Sequence, residues 1–65
     1  MDSRANDFFE TEEEFLDTID QADALARGER EMEFLEGLRY KLDLYGLDSF
    51  LSQKQVDWLR AIAER

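Results

Sequence analysis

The side chains whose type and spacing suggest a chemical role are carboxylates in the first third of the chain. On a helix with about 100° per residue they fall within one arc of roughly 120°, and no Lys or Arg lies among them. The set consists of Glu10, Glu13, Glu14, Asp17 and Asp20. Carboxylates at intervals of about 5–6 Å match nucleic-acid phosphates in sign and in order of spacing. We therefore predict that this face occupies a basic, phosphate-binding groove of a protein partner and blocks it.

The negative charge is concentrated in the same part of the chain. Residues 1–27 contain nine acidic and two basic side chains, a net charge of -7, whereas residues 28–65 contribute -2. Because phosphate contacts need Lys and Arg, a total charge of -9 argues against direct binding to nucleic acid or to an anionic membrane. The partner predicted from this charge is a basic protein surface, in particular that of a nucleic-acid-binding protein. The alternative is a solvated face that only keeps a small protein soluble.

Catalysis and cofactor binding are disfavoured by elimination. The sequence contains no His and no Cys, which excludes Ser-His-Asp and Cys-His arrangements, disulfides and the usual zinc ligands. Glycine-rich phosphate loops, HExxH and EF-hand patterns are also absent. Three consecutive glutamates, Glu12, Glu13 and Glu14, point in different directions on a helix and cannot all bind one ion. We predict a protein without enzymatic activity, cofactor or metal.

The elements that position the acidic face are predicted to be helical, in an all-α fold. Three helices are expected, over residues 8–27, 29–45 and 52–64. Thr11 with Glu14 and Ser52 with Gln55 have the spacing of capping boxes at helix starts. The 65 residues are expected to form one acidic domain, with residues 1–6 flexible. There is no run of about 18 apolar residues and no signal-peptide pattern at the start, so we expect a cytoplasmic protein.

The second helix carries apolar residues on two sides. Short connections predict a compact three-helix bundle with this helix in the middle. Tyr40 and Leu44, with Gly37 beside them, form its second apolar strip. This strip either receives the third helix or forms a homodimer or partner patch, since aromatic residues are enriched at interfaces. The second possibility predicts a different function, that of a small helical adaptor or regulatory protein that homodimerises and uses its acidic face for solubility only.

The C-terminal segment resembles a pattern of small helical proteins and domain tails from phages and mobile elements. Residues 51–62 read LSQKQVDWLRAI, which follows Leu-Ser-x-Lys-Gln-x-x-Trp-Leu-x-x-Ile, and residues 34–38, FLEGL, look like the helix that precedes it. The resemblance covers less than half of the chain. It implies a phage-type origin, where small acidic proteins without cysteine are frequently inhibitors of host nucleic-acid machinery. Anti-CRISPR and anti-restriction proteins, some of them DNA mimics, are families of that kind, and they act in the host cytoplasm.

Overall fold

The computed structural model describes residues 3–65, which fold as an all-α three-helix bundle. The helices are α1 (Glu12–Leu25), α2 (Gly28–Tyr45) and α3 (Gln53–Ala63), and short 3-10 turns occupy Ala5–Asp7 and Gly46–Asp48. The predicted fold class and the number of helices are thereby confirmed. None of the helices in this range is long and apolar enough to cross a membrane.

The two predicted caps determine where α1 and α3 begin. Thr11 has extended backbone angles, and its hydroxyl oxygen accepts a hydrogen bond of 3.0 Å from the Glu14 amide. The predicted start near residue 8 is therefore wrong, because the chain becomes helical only after Thr11. The predicted end at residue 27 is also two residues late, since Ala26 has extended backbone angles. At α3 the complete Ser52 and Gln55 capping box forms, as predicted.

The centre of the bundle is α1, which packs against both other helices. Its inner side is fully buried, whereas α2 buries only Leu35 and Leu38 among its apolar residues. The prediction that α2 lies in the middle is wrong. Its second apolar strip shares one arc with Glu33, so Tyr40 and Leu44 offer too little continuous apolar surface to hold another helix.

The contact between α2 and α3 is made chiefly by two aromatic side chains. Phe34 stacks on Trp58 with 4.1 Å between ring centroids. Trp58 is only partly covered by this contact, and 37% of the residue is exposed. Trp58 therefore covers part of the side of the bundle between α2 and α3. The buried residues of α3 are Val56, Leu59 and Ile62.

The N-terminal segment is attached to the turn before α3. The Ala5 amide donates a hydrogen bond of 2.8 Å to the Ser49 carbonyl, and the Leu51 amide donates one of 2.9 Å to the Ser3 carbonyl. Ala5 is fully buried. We expected residues 1–6 to be flexible. Residues 1 and 2 lie outside the described range, whereas Ser3 and Ala5 form these hydrogen bonds. The difference arises because backbone hydrogen bonds fix the segment, and these leave no pattern in the sequence.

The end of α2 is closed by a turn that only glycine suits. Gly46 has a φ of 57°, and its amide donates to the Leu42 carbonyl. The Ser49 hydroxyl, fully buried, donates to the Gly46 carbonyl at 2.7 Å and lies 3.0 Å from the Lys41 carbonyl. The Leu42 carbonyl, one of those that the helix itself cannot pair, is satisfied by the Gly46 amide. Because α2 packs back along α1 after the connection at residues 26–27, this end of α2 lies beside the first turn of α1.

Candidate interaction surface

The acidic face of α1 consists of the five carboxylates singled out in the sequence. All five are exposed, whereas Phe15, Ile19 and Ala22 on the inner side of the helix are fully buried. The face is therefore carried by a helix that the core holds in place. Its members are Glu10, Glu13, Glu14, Asp17 and Asp20.

One member of the acidic face is paired with a cation from another helix. Arg39 of α2 places its Nη2 atom 2.9 Å from Asp20 Oδ1 and 3.9 Å from Asp23 Oδ2. The sequence places no Lys or Arg among the five carboxylates, but the structure brings this arginine to one of them from another helix. The pairing was not visible in the sequence because it depends on where α2 crosses α1. Asp20 consequently forms a partly neutralised edge of the face.

The remaining four carboxylates of the face differ in whether they accept hydrogen bonds. Glu10 precedes the helix cap, and its backbone amide donates a hydrogen bond of 3.3 Å to a Glu14 carboxylate oxygen. Within residues 3–65, the carboxylates of Glu13 and Asp17 take part in no ion pair and accept no hydrogen bond. Glu13 and Asp17 thus form the centre of the available negative charge, with Glu10 and Glu14 on one side and the paired Asp20 on the other.

An open groove of about 760 Å³ adjoins the acidic face between α1 and the C-terminal half of α2. We call it the α1/α2 groove. It is lined by Glu12, Glu13, Leu16, Arg39, Leu42, Asp43, Leu44, Tyr45 and Gly46. Glu13 belongs to both surfaces, so the face and the groove are continuous. Sequence reasoning missed the groove because its residues lie some thirty positions apart along the chain, and only the packing of α2 on α1 brings them together.

The second predicted patch lies on the outer side of α2. Tyr40 is 66% exposed and Leu44 is 53% exposed. A Cβ atom added at Gly37 would meet no atom within 4 Å. The structure therefore excludes the possibility that this strip receives α3. The homodimer or partner interpretation of the patch stays a prediction.

Hydrogen bonds and an ion pair connect the start of α2 with Arg65, away from the acidic face. Arg65 Nη1 donates hydrogen bonds of 2.7 Å to Glu31 Oε1 and 3.3 Å to the Leu25 carbonyl. The Arg27 amide donates a further hydrogen bond of 2.7 Å to the same Glu31 oxygen. The hydrogen bonds from Arg65 and from Arg27, in that order, lower the pKa of the Glu31 carboxyl. This cluster is structural, and it leaves the acidic face free of Arg27 and Arg65.

The acidic side chains from Ser3 onward do not form a metal site, since no three of them are placed to hold one ion. The chain was also compared with protein-family models, with curated proteins and with solved structures, and none of these comparisons finds a match. The surface geometry is therefore the basis for a functional proposal.

Proposed function

We propose that this protein is a non-catalytic inhibitor that binds a basic, nucleic-acid-binding groove of another protein through the acidic face of α1. The observation that carries the proposal is the pair Glu13 and Asp17. Both are exposed and have no counter-ion among the described residues, and they project from a helix whose other side is buried. A protein groove lined with Lys and Arg supplies the missing counter-ions.

The spacing of these carboxylates supports phosphate mimicry. Glu13 and Asp17 are four residues apart, which is about 6 Å along the helix axis at a rise of about 1.5 Å per residue. Phosphates of one strand of duplex DNA follow one another at about 3.4 Å along the axis. The separation of the two carboxylates therefore corresponds to about two phosphate steps. Glu14 adds negative charge between them, and Glu10 extends the negative surface beyond the N-terminus of the helix.

The mechanism is competition for the groove. Concentrated negative charge accelerates the encounter with a positively charged groove, in a manner that salt weakens. Once bound, the helix fills the space that the nucleic-acid backbone needs. The resemblance of the C-terminal segment supports an origin in a phage or mobile element, so the proposed target is a nucleic-acid-binding protein in the host cytoplasm. CRISPR effectors and restriction enzymes are targets of this class.

The test is affinity capture from a bacterial host lysate with a neutralised variant. Glu13→Gln combined with Asp17→Asn removes two charges without disturbing the Glu14 hydrogen bond or the Asp20 ion pair. Glu33→Gln combined with Glu36→Gln makes the same charge change on the outer side of α2 and serves as the control. We expect the wild type and the control to retain a nucleic-acid-binding protein that a short DNA duplex elutes. Equal retention by the Glu13 and Asp17 variant at moderate salt would contradict the proposal.

A second candidate function is a homodimeric adaptor whose acidic face serves solubility. It is favoured by one observation, the exposure of Tyr40 and Leu44 on the outer side of α2. Measurement of the solution mass over a range of concentrations tests it. A dimer that becomes monomeric on Tyr40→Glu substitution supports the adaptor, and a monomeric mass at every concentration refutes it.

A further inference from the structure

The α1/α2 groove combines a negative rim with apolar and aromatic walls. We propose that it is a docking site for an arginine side chain carried beside an apolar side chain on a helical segment of the protein partner. The inference deepens the proposed function and depends on it, because the basic partner is the source of the arginine. It adds a second, short-range contact to the attraction exerted by the acidic face.

The groove is negatively charged, which favours binding of a cation. Glu12, Glu13 and Asp43 are exposed carboxylates along its lining. The last turn of α2 ends there and adds the negative end of the helix dipole, equivalent to about half an elementary charge. Glu12 lies so close to this helix end that a Cβ on Gly46 would collide with its carboxylate. The negative end of the α2 dipole repels the Glu12 carboxylate. A cation bound between them is attracted by both.

The cation that the chain itself supplies beside the groove is already paired. Arg39 is the one basic residue in the lining, and its guanidinium group is bound by Asp20 and Asp23 outside the groove. Asp20 therefore acts as a positioning residue that keeps Arg39 from filling the site. This arrangement explains why an acidic side chain of the face is paired while its neighbours are not.

The uncharged part of the lining favours arginine over lysine and a protein over a nucleic acid. Tyr45 is 60% exposed at the end of α2, and Leu16 is 36% exposed on α1. A guanidinium group is planar and weakly hydrated, so it stacks on an aromatic ring and binds a carboxylate in the same site, which an ammonium group does less well. Phosphates are repelled by the carboxylate rim. The apolar neighbour of the arginine packs on Leu16.

The experiment uses a synthetic amphipathic helical peptide that carries arginine and leucine on one face, and a second peptide with lysine in place of arginine. Binding to the full-length protein is measured by isothermal titration calorimetry at moderate salt, and the site is mapped by amide chemical shifts. Tyr45→Ala is compared with Met32→Ala, which removes a similarly exposed apolar side chain of the same helix that does not line the groove. Circular dichroism confirms that each variant is folded.

The proposal predicts a specific pattern of affinities. Loss of the aromatic contact in Tyr45→Ala weakens binding of the arginine peptide about fivefold, and Met32→Ala has no such effect. Arg39→Gln removes the competing cation and tightens binding about threefold. The lysine peptide binds more weakly than the arginine peptide, and the shifts cluster at Leu16, Tyr45 and Gly46.

The outcomes separate this inference from the proposed function. No binding of the arginine peptide, equal effects of Tyr45→Ala and Met32→Ala, or shifts centred on Tyr40 would overturn the docking site. If the docking-site test fails but the Glu13 and Asp17 variant no longer captures the lysate partner, the proposed function stands without the docking site. If Tyr45→Ala weakens the peptide but the Glu13 and Asp17 variant retains the lysate partner, the docking site stands and the phosphate-mimic function fails.

Discussion

The substitution Asp17→Asn should stabilise the free protein. Asp17 lies on the outer side of α1, where Glu13 is four residues before it, Glu14 three before it and Asp20 three after it. Each of these neighbours carries the same charge at a distance where helical side chains repel one another. Asp17 also lies beyond the first turn of α1, so it gains little from the helix dipole that favours Glu13 and Glu14.

The size of the effect follows from the pairs that are removed. Like-charged pairs at these spacings cost about 0.2–0.5 kcal/mol each. The pair with Asp20 counts for less, because Arg39 lies 2.9 Å from that carboxylate. The two unscreened pairs give a gain of about 0.4–1 kcal/mol at low ionic strength. Asn and Asp have similar helix propensity, so the substitution itself adds little. In a domain of this size the gain raises Tm by about 2–8 °C.

The assay is thermal and urea unfolding, followed by circular dichroism and by Trp58 fluorescence, at several salt concentrations. The gain should shrink as salt rises, since screening removes the repulsion that the substitution relieves. Glu36→Gln is the control, because Glu36 has an acidic neighbour at Glu33 and a basic one at Arg39. A stability of Asp17→Asn that is unchanged or lowered, or a gain that does not depend on salt, would refute the idea that the clustered charge opposes folding.

Three further predictions concern the framework that holds the surface in place. Because the pKa of Glu31 is lowered by Arg65, the pair stabilises the fold above the ordinary carboxyl pKa of 4.5, and this contribution is lost as the pH falls through the lowered value. Glu31→Gln should therefore flatten the acid-side loss of stability in urea unfolding measured against pH, and an unchanged profile would contradict the pairing. Gly46→Ala should destabilise by about 1–3 kcal/mol because of its positive φ, whereas Gly37→Ala should stabilise by about 1 kcal/mol because its surroundings are open; equal effects in thermal unfolding would contradict both assignments. Ser49→Ala removes the buried hydroxyl that donates to the Gly46 carbonyl and should cost about 0.5–1.5 kcal/mol, and a change in unfolding free energy near zero would contradict its role in this turn.

The sequence predicted best what depends on neighbouring residues. The caps at Thr11 and Ser52 formed because a hydroxyl three residues before an amide is enough to satisfy it. The exposure of the acidic face was also predictable, since its carboxylates lie opposite Phe15 and Ile19 on the helix. These inferences required only the helical repeat and the chemistry of single side chains.

Features that depend on the packing of helices were predicted less well. The central position of α1 and the pairing of Arg39 with Asp20 follow from how α2 crosses α1, which amphipathic patterns do not define. Two apolar sides on α2 suggested a middle helix, yet Tyr40 remained outside because charged residues share its arc. The docked N-terminal segment arises from backbone hydrogen bonds, and the α1/α2 groove arises from the packing of α2 on α1. Neither has a periodic signature in the sequence.

The most direct test of the acidic face is displacement of nucleic acid from the captured partner. Fluorescence anisotropy of a labelled short DNA duplex bound to that partner would be measured as this protein is added, at low and at high salt. We predict full displacement by the wild type at low salt, and an affinity of the wild type for the partner, measured without DNA, that falls about tenfold or more between the two salt conditions. Substitution of Glu13 and Asp17 by their amides should weaken both displacement and this affinity. Undiminished displacement by that variant, or an affinity of the wild type that does not depend on salt, would contradict recognition through these carboxylates.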